Sequence, residues 1–497
     1  MLTEVNNTTF NRIIFRREVL KDLFYIIGLF LLTVFFVYYA PSIARDIFFL
    51  VLLGIFYKSN KNYFWFAYLF VIINSPAYFW HSYELNSPYR LAIYSIPGGG
   101  SFTINDLFVI TAFIKYLLYK KVRPVLPIVK LVIPLYIFVL ILGTFTAIFF
   151  ETGIKDFFST FRGYFYFSLL FTLPGLINGK YDIMKMGYLI SPFILLILAD
   201  QIYTVVNMTP LLSLISPAAV KRMYHNYISG EVRPIMGGVL VVFYAFTFAF
   251  ALLRNKKFEI FRFAALSIIG VSIIIFFVSA TRTWMTISVV MIFLYLYFNK
   301  KIVKTTVFFP LVTATFLGLI IILNLTDYVM DNIVMRYLGF LQSLMGGNVT
   351  NYDTVGYRVE FGLPKLMEGI SISPIFGLGF SKIQVSYYNS DFGALNTILT
   401  IGIVGFAFLM VTYLLVLKRI YYHVRQNYSR LANSILEAVF SAFVAIMIAY
   451  LLNWDFFTFT SSYKVFFITL LFANVEIAIR LKDEGRQSLS DGLLRPT

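Results

Sequence analysis

The stretch Asp22-Leu-Phe-Tyr-Ile-Ile-Gly-Leu-Phe-Leu-Leu-Thr-Val-Phe-Phe-Val-Tyr-Tyr39 decides the class of the fold. Beyond its first residue it carries no charge. A hydrocarbon core about 30 Å thick is crossed by about 20 apolar residues in helical conformation, so the run reads as a membrane span. Arg12, Arg16, Arg17 and Lys21 precede it, and no small-residue cleavage site follows. It is therefore expected to be a retained anchor and not a signal peptide. Windows of similar length recur along the chain. They give about fourteen candidate spans: 22–39, 42–57, 62–79, 104–120, 126–150, 163–178, 184–206, 235–253, 260–280, 284–299, 305–324, 393–417, 433–452 and 462–480.

Composition agrees. The 497 residues are 59% hydrophobic, 19% aromatic and 13% charged, against about 25% charged in an ordinary soluble domain. That excludes a soluble globular enzyme, and the absence of Cys excludes a disulfide scaffold, a thiolate zinc site and a Cys nucleophile. The net charge of +17 fits basic cytoplasmic loops and not nucleic-acid binding. With the N-terminus inside and the spans alternating, 28 of the 41 Lys and Arg fall on the cytoplasmic side and 13 on the other. Both termini are then cytoplasmic. The expected fold is an all-α polytopic membrane protein, one integral membrane domain over 1–497.

The long connections, 80–103, 151–162, 207–234 and above all 325–392, fall on the outer face. Long loops on a rigid scaffold carry function. Within 329–345, Val329, Ile333, Tyr337, Leu341 and Leu344 share one helical face, opposite Asp331, Asn332, Arg336 and Gln342. That pattern predicts an amphipathic helix at the interface, stopped at Gly346-Gly347-Asn348. A second helical stretch is expected near 354–369.

Much familiar chemistry is missing. Gly175-Leu-Ile-Asn-Gly179-Lys180 is one residue short of a phosphate loop, and Gly98-Gly99-Gly100-Ser101 reads as a flexible turn. There is no Asp-x-Asp and no His-Glu-x-x-His, and His81, His225 and His423 lack ligand spacing. No metal and no cofactor are expected.

The informative residues are basic ones on the outer side. Arg233 opens the eighth span in Gly230-Glu-Val-Arg233-Pro-Ile-Met-Gly-Gly238. Arg282 sits in the hairpin Ser279-Ala-Thr-Arg282-Thr-Trp284, and Arg358 in Gly356-Tyr-Arg358-Val-Glu360. Snorkelling accounts for any one of them. Three in polar-aromatic outer segments point to a shared anion, because Arg grips phosphate with two parallel hydrogen bonds. A lipid-linked diphosphate is the polyanion available there. Arg162, Arg336, Lys221 and Arg222 read better as interfacial anchors. A second constellation is Pro374-Ile-Phe-Gly-Leu-Gly-Phe380, then Tyr387-Tyr-Asn-Ser-Asp391-Phe-Gly393. Asp391 is a candidate either for chemistry or for capping the following helix.

These residues resemble the O-antigen polymerase and ligase superfamily of polytopic bacterial membrane proteins. The match rests on Arg233-Pro234, on Ser279 to Arg282, on the late loop with Arg358 and Pro374–Phe380, and on Asp391-Phe-Gly393 running into Thr400-Ile-Gly402-Ile-Val-Gly405. It covers roughly 225–410. The resemblance implies a class C glycosyltransferase-like fold in the bacterial inner membrane, with a large helical periplasmic loop and metal-independent catalysis at the periplasmic face. It also implies an undecaprenyl-diphosphate-linked oligosaccharide as substrate, membrane lipid as surroundings and a chain-length regulator protein as partner, with no nucleic acid. Arg233, Arg282 and Arg358 take over the diphosphate-binding role. Ligases carry His-Asn where this chain has Ser390-Asp391, which favours the polymerase branch.

In the implied reaction, a hydroxyl of one lipid-linked repeat unit attacks the anomeric carbon of another chain and undecaprenyl diphosphate leaves. Arginine donors aimed at the leaving charge supply the electrostatic stabilisation. Asp391, Glu360, Glu231 and His225 are candidates for taking the hydroxyl proton, Asp391 first. Tyr357, Tyr387 and Tyr388 are candidates for stacking on sugars. The competing readings are an O-antigen ligase acting on lipid A-core, another lipid-linked glycan transferase, and a flippase or transporter of lipid-linked oligosaccharide, which calls for charges at mid-membrane depth and broken helices.

Overall fold

A computed structural model of the chain describes residues 2–74, 90–95, 101–118, 127–177, 181–207, 211–214, 238–254, 262–279, 282–299, 358–389, 392–426, 430–452, 455–457 and 462–493. The described residues are helical almost throughout. In chain order the helices begin with α1 (Leu2–Tyr38), α2 (Ser42–Lys58) and α3 (Asn62–Ile73). After a short strand pair come α4 (Ile104–Leu118), α5 (Pro127–Phe149), α6 (Ile154–Tyr166), α7 (Leu169–Leu176), α8 (Asp182–Ile190) and α9 (Phe193–Asn207). Then follow α10 (Val239–Arg254), α11 (Arg262–Val278) and α12 (Arg282–Asn299). A single π-helical turn, Arg358–Gly362, leads into α13 (Leu363–Ile372) and the short α14 (Lys382–Tyr387). The chain closes with α15 (Gly393–Arg425), α16 (Arg430–Leu452) and α17 (Ser462–Leu493).

Solvent explains the choice of helix. The run Ile128-Val-Lys-Leu-Val-Ile-Pro-Leu-Tyr-Ile-Phe-Val139 in α5 is rich in residues that favour strand in water. In hydrocarbon each N–H and C=O must find its partner within the segment, and only a helix provides this without a closed barrel. Five helices among the described residues are long and apolar enough to cross a membrane: Arg17–Tyr38, Pro127–Phe149, Asp182–Asn207, Gly393–Arg425 and Leu431–Leu451. Asn62–Ile73, Val239–Leu253, Phe263–Val278 and Thr283–Phe298 are shorter apolar helices. Of the predicted spans, 305–324 lies wholly outside the described residues, as does the predicted amphipathic helix 329–345. Helix occupies the others in whole or in part.

The core is built from helices that are apolar on every side. All of α3 is buried, as are Val239–Leu252 of α10 and the run from Lys464 to Ile479 of α17. A helix hydrophobic all round belongs inside. Around this centre, α16 packs on α10, α12, α15 and α17, and α5 packs on α15. The peripheral helices show apolar side chains outward, among them Phe24 and Leu31 on α1, Ile43 and Ile47 on α2, and Phe145, Ile148 and Phe149 on α5. Such faces belong against lipid tails.

The structure departs from the sequence reading in two places. Connection 80–103 holds an antiparallel strand pair, Arg90–Ser95 with Ser101–Thr103. The span expected at 163–178 is two helices, because α6 starts earlier and is amphipathic along the rim before the chain turns into α7. The second helical stretch of the long loop, expected near 354–369, is present as the π turn followed by α13.

Polar contacts sort the helix ends into two groups. At one end Lys61 Nζ meets Asp22 at 2.6 Å, Tyr63 donates to the same carboxylate at 2.6 Å, and Lys185 meets Glu18 at 2.7 Å. There too Lys115 reaches Phe56 O at 2.9 Å, Ser59 O at 2.5 Å and Asn62 Oδ1 at 2.6 Å. Glu476 accepts from the first N–H groups of α5, Ile128 and Val129, at 2.6 and 2.7 Å, and Arg480 donates to Ile177 O at 3.0 Å. The other end, the loop end, gathers Asp106 with Arg162 at 3.4 Å, Lys382 with Asp156 at 4.0 Å, and Tyr388 with Asp455 at 2.8 Å.

Candidate functional site

The feature around which the loop end is organised is a break in α15. Gly402 has φ 69° and ψ 179° inside an otherwise helical run. A break frees backbone groups, which must be satisfied where no water reaches. The segment Pro374–Phe380 supplies the partners. Leu378 N–H donates to Leu399 O and Gly379 N–H to Thr400 O, both at 2.8 Å. Ile403 N–H donates to Pro374 O at 2.9 Å and Val404 N–H to Ile375 O at 3.3 Å. A turn-rich piece of loop thus completes a severed helix.

Glycine is required on both sides of this contact. A Cβ at Gly402 would collide with Ile375 O, and one at Gly379 with the Thr146 side chain. Both positions also have positive φ, a region costly for other residues. Phe380 then anchors the segment. It is fully buried, its ring lies 4.6 Å from that of Tyr164, its N–H donates to Gly143 O at 3.1 Å and its C=O accepts from Thr160 at 2.8 Å. Below the break a small apolar pocket is lined by residues that include Val139, Tyr164, Phe167, Ile401, Tyr413 and Phe457.

Above the break lies a polar layer. Asn396, fully buried, clasps the backbone of Asn389: its Nδ2 donates to Asn389 O and its Oδ1 accepts from Asn389 N–H at 3.2 Å. Tyr450 OH and Thr397 Oγ1 are 2.6 Å apart, and Gln384 Nε2 donates to Thr400 Oγ1 at 3.1 Å. Asp455, also fully buried, accepts from Tyr388 OH on one oxygen and from Phe457 N–H at 3.2 Å on the other. Lys464 donates to the main-chain oxygen of Asp455 at 2.6 Å. Tyr387 donates to Glu368 at 3.1 Å. That bond, with smaller contributions from desolvation and the carboxylate's charge, raises the pKa of the Tyr387 hydroxyl, so it stays protonated.

The predicted site residues fall as follows. Arg358 and Glu360 share the π turn; Arg358 is half-buried and Glu360 exposed. The turn abuts the polar layer, since a Cβ at Gly362 would lie 2.7 Å from Asn389 Nδ2 and 3.1 Å from the Phe392 ring. Arg282 is the first residue of α12, which follows the end of α11 at Val278 after three residues. That connection is held by Trp284, which stacks on Phe276 at 6.0 Å and meets Phe243 edge-on at 5.8 Å. Arg233 and Asp391 lie outside the described residues, as do His225, Glu231, Tyr357, Lys221, Arg222 and Arg336. Of the helix that Asp391 precedes, the N-cap is Phe392, with no side-chain cap bond. Arg162, read as an interfacial anchor or a solvated loop residue, pairs with Asp106, which also accepts from Tyr166 at 2.9 Å. Gly175 sits inside α7 against the Tyr116 ring, which is packing and not a phosphate turn. No group of three His, Asp or Glu suited to a metal occurs among the described residues.

Asp455, Lys464 and Asn396 were not singled out in the sequence. The available signal was a charge inside an apolar connection, Asn453-Trp-Asp455-Phe-Phe457. No protein-family model matches the chain, and no curated protein matches it.

Proposed function

We propose that the chain is a bacterial inner-membrane glycosyltransferase that polymerises undecaprenyl-diphosphate-linked oligosaccharide repeat units at the periplasmic face. The observation that carries the reading is the junction between Pro374–Phe380 and the break at Gly402. It joins two of the four sequence features that resemble the polymerase superfamily, and it seats the turn bearing Arg358 beside the entry to α15. In this reading Arg233, Arg282 and Arg358 hold the diphosphate, and Asp391 or Glu360 takes the proton from the attacking hydroxyl. The fourteen-span topology belongs to the same proposal. Its support is that each ion pair described above joins segments assigned to the same side by the Lys and Arg distribution.

The broken helix is also what a transporter of lipid-linked oligosaccharide displays, so that reading stands second. Transporters use the exposed backbone of such breaks to hold substrate. Here the N–H groups of Ile403 and Val404 and the C=O groups of Leu399 and Thr400 are taken up by the loop segment, which favours the enzyme. Purified protein incubated with lipid-linked repeat units in detergent, where no membrane separates two compartments, distinguishes the two. The expected result is a ladder of lengthening chains. Unchanged repeat units in detergent, with translocation in vesicles, would establish the transporter instead.

A further inference from the structure

We propose that Tyr388 and Asp455 are positioning residues for the reaction at the loop end, holding the Arg358–Gly362 turn in register. The inference rests on the proposed glycosyltransferase reading for its chemical consequence, and on contacts alone for its geometry.

Asp455 is placed where a carboxylate is costly. It is fully buried beside Phe456 and Phe457, in the connection between α16 and α17. Burying a charged group is tolerated when its oxygens are satisfied. One oxygen accepts the Phe457 N–H and the other accepts the Tyr388 hydroxyl. Lys464, itself buried, fixes the main chain of the same residue. The aspartate is therefore rigid, and its reach to Tyr388 spans 67 positions of sequence.

Tyr388 passes that rigidity on. The next residue, Asn389, is clasped through its backbone by Asn396, so positions 388 and 389 are fixed from two independent elements, the 455–464 connection and the first half of α15. The Asn389 side chain in turn lies against Gly362, with its Nδ2 2.7 Å from where a Cβ would stand. Gly362 ends the π turn whose first residue is Arg358 and whose third is Glu360. A π turn is rare and frequent at functional sites, and Asn389 packs against the end of this one. Hydrogen bonds to a charged acceptor, made out of water, are the strong kind. The path Asp455–Tyr388–Asn389–Gly362 is thus a contiguous support for the turn that presents the arginine. Neither Asp455 nor Tyr388 needs to touch substrate.

The test uses full-length protein. Ladder rates per folded protein are measured for Tyr388→Phe, Asp455→Ala and Asp455→Asn, in the native background and in Arg358→Lys. The expected loss for Tyr388→Phe and Asp455→Ala is about tenfold in the native background, with little further loss in Arg358→Lys, because a support acting through Arg358 has nothing left to align. Asp455→Asn, which still accepts from Phe457 and pairs with the Tyr388 oxygen, is expected to keep more activity than Asp455→Ala. Equal losses in both backgrounds overturn the proposal. A second readout does not depend on activity. The chain has no Cys, so a spin label on Phe361→Cys reports the turn and one on Ile154→Cys reports a control site; both positions are well exposed. Tyr388→Phe is expected to loosen the label at 361 and leave that at 154 unchanged. An unchanged label at 361 overturns the proposal. If the native protein makes no ladder, the glycosyltransferase reading fails, and the label at 361 still decides whether the support exists.

Discussion

The two ends of the helix bundle use charge differently. At the end carrying Lys61, Lys115 and Glu476, charged side chains are consumed by helix termini. Lys115 donates to two carbonyls at the end of α2 and to the Asn62 side chain at the start of α3, and Glu476 closes two donors at the start of α5. Helix termini leave such groups without intrahelical partners, and charged caps are a strong way to satisfy them. At the loop end the break in α15 is sealed by backbone, amides and hydroxyls instead. Glu360 and Glu368 stay at the surface of that end. Buried charge serves architecture at the loop end too, in Asp106, Asp455 and Lys464, but there Glu360 and Glu368 also remain at the surface, where the proposed chemistry is set.

That contrast is broken most decisively by the arginines. Arg233→Ala, Arg282→Ala and Arg358→Ala are each expected to reduce ladder formation about a hundredfold per unit of membrane protein, with normal insertion. Arg→Lys is expected to rescue poorly, because Lys keeps the charge and loses the two-pronged geometry. Wild-type ladders from the Ala variants would reduce these residues to anchors at the interface.

Next in size is Gly402→Ala. The positive φ alone costs about 1–3 kcal/mol, and the new methyl group meets Ile375 O. Thermal unfolding should shift down and ladder rate fall together. Wild-type behaviour in both would mean that the break in α15 closes into regular helix without penalty.

Lys115→Met sharpens the contrast from the other side. It removes the donor to Ser59 O and Asn62 Oδ1, leaving Phe56 O with the Ser59 N–H alone, and is expected to cost about 1–3 kcal/mol of stability, while the ladder rate per folded protein stays at the native value. A selective loss of rate would place chemistry at the lysine end. The smallest expected effect is none: excess chelator should leave the ladder unchanged, as the missing Asp-x-Asp implies. Loss on chelation, restored by Mg²⁺ or Mn²⁺, would introduce a metal into the mechanism.

Helical spans were legible because lipid imposes one rule, a fixed length of apolar residues with internally satisfied backbone. The start of α12 at Arg282 and the extent of α5 follow from it closely. The break at Gly402 was not legible. Thr400-Ile-Gly402-Ile-Val-Gly405 reads as continuous helix, since glycine is common in membrane helices, and only the distant Pro374–Phe380 segment makes a break affordable. The same segment was singled out for its glycines, but its partner was not. Asp455 was overlooked because hydropathy averages a single acid away among Trp454, Phe456 and Phe457, and its role depends on Tyr388, far away in sequence. Of the arginine constellation, sequence supplied the residues and their order. The described structure adds the support beneath Arg358 and the short connection that places Arg282.

The most direct measurement is the release of undecaprenyl diphosphate by purified protein given lipid-linked repeat units, counted against glycosidic bonds formed. The account predicts one diphosphate lipid released per bond, a product ladder, and a large drop in both for Arg358→Lys but not for Lys115→Met. Repeat units left intact, with no diphosphate lipid released by folded protein, would contradict it.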